Sequence, residues 1–233
     1  MPQKIWWPQP PQYGAGPIHP CVPIWNYDDR YSGQPIVPHV ITGPYHVIRR
    51  EGFLQEHAVE VVLCIRDPSE TKFLRAVDLA GIEFRALDVP ADVREANIIP
   101  YFMEASRMIG ELVAAGRTVL VCCSDGIDKS ASFVAAYLMN TYALRASDAI
   151  TFVQNHRYCA TPSANGYRIK LMEYEPICAA RGLALQPAMG DQKNMRKRAD
   201  HADDLLVDVN DDVQLEDRPV RPLPNKRVRE NRA

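Results

Sequence analysis

The alternation of apolar and polar positions divides the chain into short units of two kinds. Ile36 to Ile41, Val59 to Ile65 and Glu83 to Val89 carry β-branched or alternating apolar positions and are predicted as strands. Ser69 to Ala80, between the last two, is weakly helical. A stronger helix opens at Asn97, whose side chain suits an N-cap, with Pro100 in the first turn. Ile98, Phe102, Ala105, Ile109 and Leu112 recur at spacings of 4, 3, 4 and 3 and so share one face, and Gly116 supplies the stop. The strand Arg117 to Cys122 follows, then a helix from about Asp128 to Tyr142 and two more over Ala146 to His156 and Asn165 to Arg181. Strands alternating with helices imply an α/β fold with a mainly parallel central sheet and helices on both faces.

The pattern fails at both ends. Residues 1–24 are rich in Pro, Gln and Gly and are expected to form a disordered arm; Pro8-Gln9-Pro10-Pro11 has the composition of a ligand for proline-recognising modules and equally of a flexible leader. From residue 187 to 233 charge dominates: Arg196 to Arg198, an acidic block from Asp200 to Asp217, then Lys226 to Arg229. Such a segment buries too little apolar surface to offset its ordering entropy, so a disordered tail is expected. Within it, Lys197-Arg198 ahead of Leu205-x-Val207 approximates a kinase docking peptide. Leu206-Val207-x-Val209 among Asp203, Asp204, Asp211 and Asp212 approximates a strand-adding segment that binds ubiquitin-like modifiers. Either pattern also arises in a solvated tail. One domain over residues 25–186 remains.

Composition narrows the function classes. With 46% hydrophobic residues and a formal net charge of −2, the chain can fill one core, and it lacks the charge footprint of a general nucleic-acid or membrane-surface binder. No segment approaches the ~20 apolar residues of a membrane span, and the first residues lack the apolar stretch of a secretory leader, so cytoplasm and nucleus are expected; the two basic clusters of the tail fit nuclear import signals. Six cysteines show no Cys-x-x-Cys pairing and the histidines no ligand spacing, so reduced thiols, no metal and no cofactor are expected. A disulfide between adjacent Cys122 and Cys123 would be strained.

The chemistry concentrates in Val119-Leu120-Val121-Cys122-Cys123-Ser124-Asp125-Gly126-Ile127-Asp128-Lys129-Ser130-Ala131. An apolar strand ends in a cysteine, a loop with a glycine and a cation follows, and a helix of small residues begins. The backbone N–H groups of residues 124–129, together with the positive end of the helix, make a concave anion site with a thiol at its floor.

With that loop in view, the chain resembles the atypical dual-specificity phosphatases, and within them the Styx-type, phosphoserine/threonine/tyrosine-interacting pseudophosphatases. The resemblance runs over residues 25 to 181 through Trp25-x-Tyr27 with Arg30, Gly43-Pro44-Tyr45, Cys64-Ile65-Arg66, Asn97-Ile98-Ile99, Phe133-Val134-x-Ala136-Tyr137, Asp148-Ala149, Val153-Gln154, Arg157-x-Cys159 and Glu173-Tyr174-Glu175. It implies that Cys123 stands at the nucleophile, Lys129 at the arginine that holds two phosphoryl oxygens, and Ser130 at the residue that assists the leaving thiolate. Asp92, 31 residues before Cys123, fits the acid, with Asp88 as the fallback. Taken singly, Cys123 also reads as a core cysteine and Asp92 as a loop carboxylate; their joint spacing favours the phosphatase pattern.

The chain departs from that pattern where it matters. Cys122 replaces the usual His and Lys129 the usual Arg, whereas Styx-type proteins keep both and lose the cysteine. The segment Thr161 to Tyr167 is one residue longer, with Ser163 in place of Asn. An ammonium cannot grip two oxygens in a fixed plane, and the loss of one transition-state donor costs ~3 kcal/mol. Asp125 and Asp128 would repel a bound dianion by ~1 to 3 kcal/mol each and raise the pKa of Cys123. The expectation is a degenerate site on a protein-binding domain. The resemblance implies partners such as phosphorylated signalling proteins, MAP kinases or F-box proteins, and the alternative is a slow phosphatase using Cys123, Asp92 and Lys129.

Overall fold

The computed structural model describes residues 6–185, Asp78 and Ala80 excepted. The tail from 187, with its docking, modifier-binding and import patterns, lies outside these residues.

Five strands, β1 (Gln34–Val37), β2 (Val40–Pro44), β3 (Val61–Arg66), β4 (Glu83–Asp88) and β5 (Val119–Cys123), form one sheet in the order β1-β2-β5-β3-β4. All neighbours run parallel except β1 and β2. The helices are α1 (Phe53–Glu56), α2 (Ile99–Ala114), α3 (Lys129–Tyr142), α4 (Ala146–His156) and α5 (Tyr167–Leu185).

The period of two along each strand sorts the core into two layers. Val61, Leu63 and Ile65 of β3 and Val119 and Val121 of β5 face the layer built from α2 to α5, where the apolar stripe Ile98, Phe102, Ala105, Ile109 and Leu112 is buried. Val62, Cys64, Leu120 and Cys122 face the opposite layer, closed by the 3-10 turn Tyr45–Arg49, by Phe53 and Leu54 of α1, and by Leu74. The two faces are therefore covered unequally, by four long helices and by short turns.

Two expected elements take another form. The single strand Ile36 to Ile41 is a hairpin, because Pro38 has no N–H for a ladder and His39 turns the chain at φ 66°. Within the stretch expected as a weak helix, Ser69 to Ala80, residues 69–74 form turns and a bend and residues 75–77 are irregular. Its carbonyls are claimed by distant side chains: Arg66 Nη1 donates to Leu74 O at 2.5 Å and Tyr45 Oη to Arg75 O at 2.5 Å. Smaller shifts occur at helix starts. Asn97 Oδ1 accepts from Ile99 N at 3.2 Å, so α2 begins two residues after it, and Ser163 Oγ accepts from Tyr167 N at the start of α5.

Residues 6–24 contain no helix or strand, yet they do not form an unpacked arm. Trp7 packs against the second layer and lies 5.6 Å from the His39 ring. Gly14 N donates to Tyr142 O at 2.9 Å, Ile18 N to Asp148 Oδ1 at 3.1 Å and Cys21 N to Asn155 Oδ1 at 2.7 Å. The segment follows α4 because two side chains of that helix satisfy its backbone, an interaction that composition does not reveal.

Candidate active site

The central strand β5 delivers Cys123 at its carboxyl end, where ligands of parallel sheets bind. The pleat points Cys122 into the second layer, fully buried opposite Cys64 of β3, and leaves Cys123 on the side of α3. All six cysteines are free thiols.

The loop between β5 and α3 packs through glycines. Gly126 sits at φ 69°, and a Cβ there would come within 2.3 Å of the Gly43 carbonyl carbon; a Cβ on Gly43 would in turn meet the Gly33 Cα at 2.7 Å. Gly126→Ala is expected to cost ~2–4 kcal/mol from the left-handed backbone and overpacking together, measured as a lowered urea midpoint.

A buried arginine holds the loop from outside. Arg157, with no exposed surface, donates from Nε to Gly126 O at 2.8 Å, from Nη1 to Ser32 O at 2.7 Å and to Gln34 Oε1, and from Nη2 to Arg30 O at 3.0 Å. Thr161 N donates to Ile127 O and Ser163 N to Asp128 Oδ1, both at 2.9 Å, so the 157–163 segment fastens the far side.

Within this frame the thiol is cradled. Gly126 N donates to Cys123 Sγ at 3.2 Å, and Ser130 Oγ lies 3.4 Å from the sulfur. Burial pushes the Cys123 thiol above its ordinary value, and the charge of Asp125 adds to this against the hydrogen bonds from Ser130 and Gly126. Asp125 Oδ1 lies 3.4 Å from the same sulfur and accepts from Ile127 N at 2.9 Å. A loop N–H that could meet an oxyanion is thus already bonded to a carboxylate of the loop itself.

The cation expected to serve the loop points elsewhere. Lys129 Nζ sits 2.6 Å from Asp67 Oδ2 and 2.6 Å from Glu70 Oε2, on the turn that follows β3. Burial works against both charges. The lysine hydrogen bond and those from Ser69 nevertheless hold the Asp67 carboxyl down at about 2, and the two acids raise Lys129.

The remaining candidates lie around the rim. Ser124 and Asp125 are exposed. Asp128 is half-buried, and burial pushes its carboxyl upward against the hydrogen bond from Ser163. Asp92 is exposed and accepts from Arg94 N at 3.0 Å, so its carboxylate closes a turn in its own segment and forms no hydrogen bond with the Cys123 loop. The fallback Asp88 pairs with Arg66 at 2.6 Å.

Asp67, Glu70 and Arg157 are the residues that reading the chain did not place. Arg157 stands in the Arg157-x-Cys159 motif, which by itself assigns it no role. Asp67 and Glu70 carry one signal, two acids three apart just beyond a strand that neighbours β5.

Because depressing a carboxyl pKa stabilises the fold above its unfolded value, the Asp67 contribution is complete above pH ~4 and is lost as pH falls through about 2. Asp67→Asn is therefore expected to lose ~1–2 kcal/mol at pH 7, with a gap from the unmodified chain that narrows below pH 4 in urea titrations. A gap that stays constant with pH would contradict the ion pair.

A cysteine closing a central parallel strand, an anion-type loop over it and a helix beginning at its far end define the cysteine-dependent phosphatase class of fold. The family profile of the dual specificity phosphatase catalytic domain matches residues 42–177. The human serine/threonine/tyrosine-interacting protein is 35% identical over 159 residues, which is 67% of this chain and 70% of that protein. The Xenopus laevis serine/threonine/tyrosine-interacting protein B is 34% identical over the same shares. The crystal structure of the human tyrosine phosphatase-like serine/threonine/tyrosine-interacting protein superposes with a TM-score of 0.58 at 34% identity, covering 63% of this chain and 97% of that one. Human DUSP28, at 19% identity and a TM-score of 0.56 over 71% of this chain and 99% of that one, shares the fold. This chain belongs to the dual specificity phosphatase family. Within it, the chain is similar to the serine/threonine/tyrosine-interacting proteins.

Proposed function

We propose that this chain is a dual specificity phosphatase domain without phosphatase activity, acting as a protein-binding regulator or anchor in phosphorylation-dependent signalling. The observation that supports this most is the pairing of Lys129 with Asp67 and Glu70 at 2.6 Å, which leaves the loop without a committed cation. The Asp125 carboxylate, bonded to Ile127 N and beside the sulfur, adds repulsion where a dianion would sit. Burial and the neighbouring Asp125 work against ionisation of the thiol, and the family's acid position is filled by an exposed Asp92 turned onto its own backbone.

The relatives carry "interacting protein" as their name, which supports a binding role; partners among phosphoproteins, MAP kinases or F-box proteins belong to the proposal, as do cytoplasm and nucleus as its compartments. Among the described residues no helix is long and apolar enough to cross a membrane.

A second reading rests on the Gly126 N–H at 3.2 Å from the sulfur and Ser130 at 3.4 Å, which preserve part of a phosphatase cradle and fit a slow cysteine phosphatase. Purified protein incubated with a small aryl phosphate beside a Cys123→Ser control separates the two. Equal release from both is expected, and turnover lost with the serine would establish the slow enzyme.

A further inference from the structure

The chain that follows the Lys129-binding acids Asp67 and Glu70 contributes to a cleft of about 390 Å³ lined by His46, Arg49, Lys72, Phe73 and Arg75 together with Tyr45 and Leu74. Its charge is of one sign. Among the described residues the salt bridges engage other basic groups, and none involves Arg49, Lys72 or Arg75. Of the acids on the neighbouring segments, Asp67 and Glu70 pair with Lys129 and Asp88 with Arg66. The lining of the cleft itself holds three cations and no carboxylate.

The cleft is held in shape. Leu74 O and Arg75 O are bound by Arg66 and Tyr45, and Leu74 is buried in the second layer, so Lys72, Phe73 and Arg75 project from a fastened turn. Phe73 is 75% exposed between the two cations. The surface continues through His46, whose Nε2 is 3.1 Å from Tyr31 O, to Arg30, which stacks over the rings of Tyr27 and Tyr31 at 5.0 and 5.3 Å. Arginine with exposed aromatic side chains on a rigid support is the composition of interface hot spots.

We infer that this cleft is the docking site for an acidic segment of a partner protein, one that places clustered Asp or Glu against Arg49, Lys72 and Arg75 and an apolar side chain against Phe73. The inference deepens the protein-binding reading above and rests on it. Charge complementarity selects the occupant. Three cations confined to one cleft suit a short acidic segment, whereas a nucleic acid needs a longer basic track, and the whole chain carries a net charge of −2. The placement also separates recognition from the Cys123 loop, whose own acids oppose an anion.

The test uses the full chain and fluorescence polarisation with three labelled probes: a peptide of glutamates interspersed with leucines, its glutamine counterpart, and a single-stranded oligonucleotide of matching charge. The glutamate peptide is expected to bind most tightly and to weaken as salt rises. The combined change Arg49→Glu, Lys72→Glu and Arg75→Glu is expected to weaken it ~10-fold or more, and Phe73→Ala several-fold without altering the salt slope. These are surface positions, and unchanged circular dichroism, with the milder Lys72→Gln and Arg75→Gln pair showing a smaller loss in the same direction, keeps the result interpretable. Equal binding of the glutamine peptide, indifference to charge reversal, or preference for the oligonucleotide would overturn the inference. None of these outcomes alters aryl phosphate release with and without Cys123, so failure of the cleft and failure of the inactive reading are read from different experiments.

Discussion

Restoring the family's loop residues alone is expected to leave the protein nearly inert. The fourfold change Cys122→His, Asp125→Ala, Asp128→Ser and Lys129→Arg removes the loop's own acids and supplies a guanidinium. The new side chain starts from the same first turn of α3, though, and faces Asp67 and Glu70, which hold the present ammonium at 2.6 Å from each. A bidentate guanidinium–carboxylate pair is at least as favourable as the pair it replaces. Adding Asp67→Asn and Glu70→Gln releases the cation toward the loop. Because one well-placed transition-state donor contributes ~3 kcal/mol, the sixfold variant is expected to exceed the fourfold one by ~10² to 10³ in kcat/KM for an aryl phosphate. Equal rates in the two variants would show that the acid pair does not govern the cation.

Arg157→Ala is expected to be the most destabilising single change in the domain, at ~3–5 kcal/mol by urea unfolding. The guanidinium is fully buried and its acceptors are three carbonyls and an amide oxygen, drawn from Gly126, Ser32, Arg30 and Gln34. Truncation removes the donor from all four, leaves the Gly126 carbonyl unpartnered in the interior, and opens a cavity between the loop and the 30–34 segment. Arg157→Lys keeps the charge but cannot fork to four acceptors, so it should recover only part of the loss. A loss below ~1 kcal/mol for the alanine variant would mean that water replaces the arginine at little cost.

The legible parts of the structure were those governed by local periodicity. The stripe from Ile98 to Leu112 specified α2 through its one apolar face, and the unbroken apolar runs specified β3 and β5 as strands covered on both faces. The hairpin was hidden because Pro38 and His39 interrupt an otherwise continuous apolar run, and a positive φ at a histidine has no pattern to announce it. The 67–75 turns were hidden because distant side chains, Arg66, Tyr45 and Lys129, satisfy them.

The site divides in the same way. Cys123 to Ser130 are contiguous and could be read as one loop. The residues that decide its electrostatics come from other elements: Asp67 and Glu70 reach Lys129 only because β3 and β5 lie side by side with Cys64 opposite Cys122, and Arg157 reaches Gly126 across 31 residues. The lysine's charge was legible, but its direction required the fold.

Calorimetric titration with orthovanadate, an oxyanion that takes the trigonal-bipyramidal geometry of a transferring phosphoryl group, measures most directly whether the loop holds such a group. With the lysine engaged by two acids and Asp125 bonded within the loop, no heat of binding is expected up to ~1 mM, with the unmodified chain and its Cys123→Ser variant alike. Binding tighter than ~0.1 mM that disappears with Cys123→Ser would contradict the account.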